Sequence, residues 1–151
     1  MKPINRVTAA AAFVVFMTGS AAIASNSGES YVQPEAAPSI HDSMEEMGDA
    51  FRTISRGYNK ADKLDDVLEA IGTLQKNIVT AKSQVPDRLS ELSGEELETA
   101  LTDYRVRMAK LLDRTTELEV ALLTGDDDLA HVILRDELYP MRDEGHDRFS
   151  D

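Results

Sequence analysis

Cysteine is absent from the 151-residue chain. That excludes disulfides, iron–sulfur clusters, thiolate metal sites and any cofactor bonded through cysteine sulfur, so an exported domain has to be held by packing or by a bound ligand. Long hydrophobic runs are missing too. The one extended apolar stretch, Val7 to Gly19, is too short to span a bilayer as a helix. Set between the basic start MKPINR and the small-x-small triplet Ala22-Ile23-Ala24, it reads as a secretory signal. Residues 1–24 are therefore expected to be a signal peptide, leaving about 127 residues, enough for one domain with one core and no membrane span. This arrangement suits export to a bacterial periplasm.

Positive charge is scarce: 16 Lys and Arg stand against 28 Asp and Glu. Cleavage removes Lys2 and Arg6 and no acidic residue, taking the formal charge of −12 to about −14. Such a surface repels nucleic acid and anionic lipid and would steer association toward a partner with a basic docking surface. Strand signals are lacking, since no run of four or more residues in the exported part alternates apolar and polar with β-branched enrichment. Nor is there a nucleophile–base constellation, a phosphate loop or EF-hand spacing, so no enzyme is expected. The acidic runs Glu95-Glu96 and Asp126 to Asp128 read as charges at helix starts.

What is present is helical periodicity. Residues 25–38, rich in Ser, Ala, Glu and Pro, make a flexible leader, and the domain occupies 39–151. After Ser39, an N-cap candidate, Ile40, Met44, Met47, Phe51, Ile54 and Tyr58 recur at spacings of four and three. A second stripe runs through Leu64, Val67, Leu68, Ile71, Leu74, Ile78, Ala81 and Val85 until Pro86. Ser93 and Glu96 have the form of a capping box before a third stripe of Leu97, Leu101, Tyr104, Met108, Leu111, Thr115, Leu118 and Leu122, which ends at Gly125. Asp126 to Asp128 open a fourth helix toward the C-terminus. Pro140 lies inside that helix, where it cannot bond back to Asp136, and predicts a kink near Asp136 to Tyr139. The fold class is all-α: an antiparallel up-down-up-down four-helix bundle with left-handed packing.

That topology brings the start of the first helix and the end of the fourth to one end of the bundle. Met44 and His146 can then face one cavity. A methionine on an apolar stripe is by itself core filler, and one histidine near a C-terminus is by itself a solvated or dipole-stabilising group. At matching depth the two also suit thioether and imidazole ligation of a metal centre. His131 is about 22 Å from His146 along a helix and reads as solvated, His41 as an exposed first-turn residue, and Met141, offset five residues from His146, as no ligand.

The segment Asp42-Ser-Met44-Glu-Glu-Met-Gly-Asp49 resembles the first helix of the soluble cytochrome b562 family, in which the methionine of a D-x-M-E-x-(apolar)-x-D pattern is an axial haem ligand. Arg142-Asp-Glu-Gly-His146 is similar to the family's R-x-x-x-H ending, whose histidine is the other ligand. The resemblance covers about Ser39 to Asp151. It implies one non-covalent haem b (protohaem IX) per chain, with its iron held axially by Met44 and His146, and a periplasmic electron-transfer role with an unidentified redox partner, the chain being a monomer. Met47 and Phe51 would line the cavity from the first helix. Tyr104 and Met108 stand where the family usually shows phenylalanines, and Tyr104 could add a hydroxyl hydrogen bond. Arg142, with Arg148 as a second candidate, is placed to pair with a haem propionate or else to stay a surface arginine among acids. Pro140 departs from the family pattern. The alternative reading is a haem-free periplasmic bundle of the same fold, a binding or stress-adaptor module holding copper or zinc through Met and His side chains.

Overall fold

The computed structural model describes residues 38–149. The expected signal segment 1–24 and all but the last residue of the 25–38 leader lie outside the described residues. Within them the chain is four helices and no strand. Helix α1 is Ile40–Gly57, α2 Leu64–Lys82 and α3 Gly94–Thr124. The fourth helix is built in three consecutive pieces: α4 (Asp127–Val132), a π-helical segment (Ile133–Leu138) and α5 (Tyr139–Phe149). Each helix packs on its neighbour in sequence, α1 on α2, α2 on α3 and α3 on the fourth. No helix among the described residues is long and apolar enough to cross a membrane.

The local chemistry accounts for the helix ends. Ser39 accepts from the Asp42 backbone N–H at 3.1 Å while the Asp42 carboxylate accepts from the Ser39 N–H at 3.2 Å, a reciprocal cap that satisfies two otherwise orphaned donors. Gly125 closes α3 in the left-handed conformation (φ 71°), and Asp126 then caps α4 by accepting from the Leu129 N–H at 3.0 Å. The capping box expected at Ser93 does not form. Gly94, at φ 58°, leads the chain into α3 through a left-handed residue, and Ser93 makes no side-chain cap bond. The α1–α2 link is short, and α1 turns into α2 tightly because Gly57 lies against Val67: a Cβ on Gly57 would stand 2.7 Å from Val67 Cγ2.

The stripes read from the sequence make the core. Ile54, Ile71, Leu74, Ile78, Leu118, Leu134 and Leu138 are essentially inaccessible to solvent. Val85 is not part of it, because α2 ends at Lys82 and leaves Val85 exposed in the connection. That connection carries Leu89 back into the core, and Arg88 donates to the Asp147 carbonyl of α5 at 3.2 Å.

The response to Pro140 differs from a simple kink. The turn before it widens to the π pattern, in which the Tyr139 N–H bonds to the Leu134 carbonyl five residues back. A π turn takes up one more residue than an α turn, so the helix passes the proline without the i−4 bond that Pro140 cannot make. Ile133, Leu134 and Leu138 remain buried through this stretch.

Candidate functional site

A cleft of about 90 Å³ lies between the early turns of α1, the middle of α3 and α5. Met44 and Met47 enter it from α1, Tyr104, Met108 and Leu111 from α3, and Met141, Arg142, Gly145, His146 and Phe149 from α5. The α5 residues fall at spacings of one, four, five and eight, a single helical face. Whether that face meets the cleft depends on the π segment, because one residue taken up upstream turns everything after it by about 100°.

Met44 is half-buried on its helix and His146 is exposed at the cleft mouth, so a thioether and an imidazole from opposite ends of the domain share one cavity. Met108 and Tyr104 are buried behind them. The Tyr104 hydroxyl is turned away into the bundle, donating to the Ala81 carbonyl of α2 at 2.9 Å, while its ring meets Phe149 edge-on with centroids 5.2 Å apart. Burial pushes the phenol up to about 12, so it stays protonated. The hydroxyl bond foreseen for Tyr104 is thus made to the backbone and not toward the cavity. Gly145 leaves a gap in the wall: a Cβ there would meet no atom within 4 Å.

Phe51 does not line the cleft. It lies buried behind the rim, with its ring 5.5 Å from that of Tyr139. Over both rings sits the Arg142 guanidinium, 5.3 Å from the Phe51 centroid and 5.1 Å from that of Tyr139. Arg142 also donates to Asp143 at 2.6 Å and 2.9 Å. Its charge is thereby held at the cleft edge by aromatic faces on one side and a carboxylate on the other.

Four charges tie α5 to α3 beside the cleft. Arg107 bonds Asp103 at 3.0 Å and Glu144 at 2.9 Å, and Arg148 reaches Asp103 at 2.9 Å. The hydrogen bond from Arg107, assisted by both arginines' charges, holds the Asp103 carboxyl below its ordinary value. Arg148, the second propionate candidate, is engaged in this network. His131, expected to be solvated, is exposed but hydrogen-bonds the Tyr58 hydroxyl at 2.7 Å. Met141, Arg107, Leu111 and Phe149 were not anticipated in the cleft. Their helical spacing with His146 and Met108 was the available signal, and for Met141 and Phe149 it was obscured by the proline.

Fold and cleft together define a class: an all-α, four-helix protein with a soft thioether, an imidazole and apolar walls gathered near the ends of its first and last helices. Residues 39–150 match the family model for cytochrome b562, and the chain belongs to that family. The family consists of small haem-binding electron carriers, not enzymes. No curated protein and no solved structure gives a significant match.

Proposed function

We propose that this chain is a periplasmic electron-transfer cytochrome that binds one haem b without covalent attachment, with Met44 and His146 as the axial ligands and residues 1–24 as its export signal. The observation that carries the reading is that Met44 and His146, at opposite ends of the domain, line one cleft.

The donors and walls suit such a group. Thioether and neutral imidazole are a haem ligand pair, and Met47, Met108, Leu111, Tyr104 and Phe149 supply an apolar surround. The gap at Gly145 leaves room for the edge of a flat ring. When bound, haem supplies a one-electron ferric–ferrous couple, which a thioether ligand shifts toward the ferrous form. The protein's part is to hold and orient. Met44 and His146 would hold the iron from two helices, and the Asp103–Arg107–Glu144–Arg148 network keeps α5 against α3. Arg142, steadied over Phe51 and Tyr139, offers a guanidinium for a propionate at the cleft edge. Held by both residues, the iron would supply one-electron exchange with no substrate position, in keeping with an electron carrier.

The reduced spectrum of haem-loaded protein tests this. Met44→Ala and His146→Ala should each shift or broaden the Soret and α bands by removing one strong-field ligand. Unchanged spectra in both variants overturn the assignment.

A further inference from the structure

All four methionines among the described residues, Met44, Met47, Met108 and Met141, line this one cleft, with His146 at its mouth. The rest of the buried apolar core is built from Leu, Ile, Val, Ala, Phe and Tyr without a further methionine. If these residues served only as pliable filler, they would have no reason to be confined to one cavity. An axial haem ligand accounts for one thioether. The other three come from three different helices, α1, α3 and α5, and remain unexplained by it.

We infer that the cleft is also a copper(I) site, in which the thioethers of Met44, Met47, Met108 and Met141 and the imidazole of His146 form the donor pool for one ion in the haem-free chain. Thioethers are soft donors and select copper(I) over harder divalent ions, and imidazole suits copper as well. Oxygen donors that would favour another metal are not assembled: among the described residues no group of three or more His, Asp and Glu side chains is placed to hold an ion. Arg107 and Arg142, at the rim, occupy the nearby carboxylates Glu144, Asp103 and Asp143. That makes a monovalent cation with neutral ligands a better occupant than zinc, the other metal that the sequence left open. Binding involves no redox step. Haem and copper(I) would draw on the same donors, so occupancy by one excludes the other.

This inference rests on the donors themselves and holds whether or not haem is the resident group. The test is anaerobic competition for copper(I) between the full exported chain, purified without haem, and a chromophoric copper(I) chelator, with zinc(II) titrated in parallel. One equivalent of copper(I) should leave the chelator, and zinc should not bind at the cleft. Met141→Leu and Met47→Leu keep volume and apolarity while deleting sulfur, and each should weaken copper(I) binding at least tenfold with helicity unchanged by circular dichroism. Retention of all copper by the chelator, or wild-type affinity in both leucine variants, overturns the inference. A separate haemin titration keeps the two readings apart, since failure to take up haem with copper uptake intact counts against the haem assignment alone.

Discussion

Asp103 is the carboxylate from which the last turns of α5 hang, for it is shared by Arg107 of its own helix and Arg148 of α5. Because its carboxyl is held below the ordinary value of 3.8, its contribution to stability is fully present above that value and is lost as pH falls through the lower folded one. Asp103→Asn should therefore lower the melting temperature near neutral pH, with the difference from wild type shrinking as pH falls below the ordinary value of 3.8 and on through the lower folded one. The pair is partly exposed, so the loss should stay at or under about 1 kcal/mol. A difference that persists undiminished at pH 2 would assign the effect to packing instead. Arg142 shows the same dependence of one residue on its neighbours. From sequence it was either a propionate partner or a surface arginine, and what decides its position is a pair of rings, Phe51 and Tyr139, that the sequence places on different helices.

At the scale of elements, the tight α1–α2 junction offers the sharpest prediction. Gly57→Ala forces a methyl into Val67 and should cost about 1–3 kcal/mol. Gly72, exposed within α2 with nothing within 4 Å of an added Cβ, should behave oppositely, Gly72→Ala gaining roughly 0.5–1 kcal/mol from helix propensity. Urea denaturation of both variants checks the pair, and equal signs would contradict the packing described. The helices, their core stripes and the caps at Ser39, Gly125 and Asp126 were legible because 3.6-residue periodicity and end chemistry are local properties. Where the sequence misled, the cause was local geometry with more than one solution. Ser93 lost its cap to a left-handed Gly94, and Val85 followed the stripe arithmetic but fell beyond the last turn. Asn77, buried in α2 and donating to Glu46 of α1 at 2.7 Å, interrupts an apolar face without any signal in the pattern. In the site, Met44, Met47, Tyr104, Met108, Arg142 and His146 line one cleft; topology suggested this for Met44 and His146, whereas Tyr104, Met108 and Arg142 were pointed to by the family resemblance. Met141, which follows Pro140 and is offset five residues from His146, lines the same cleft as His146, a placement its position after the proline did not reveal.

For the whole molecule, two properties follow from the balance of charge and ligand. With no disulfides, a ligand that binds only the folded chain adds directly to stability, by about 2.7 kcal/mol when it is present at a hundred times its dissociation constant. Haemin should therefore raise the melting temperature in a concentration-dependent way, and a flat response would argue against specific binding. The formal charge of −12 should make electron exchange with a basic redox protein slow as salt rises from about 10 to 200 mM, measured by stopped flow, because screening removes the long-range attraction. The π segment Ile133–Leu138 has a different kind of reach. A widened turn is how a helix stores an insertion without a loop, so residues before Ile133 and after Leu138 run in two phases offset by one position. Aligned to a straight bundle, this chain would need its gap inside an unbroken helix. Counting back from His146 by heptads would then name the wrong neighbours for everything upstream of the segment.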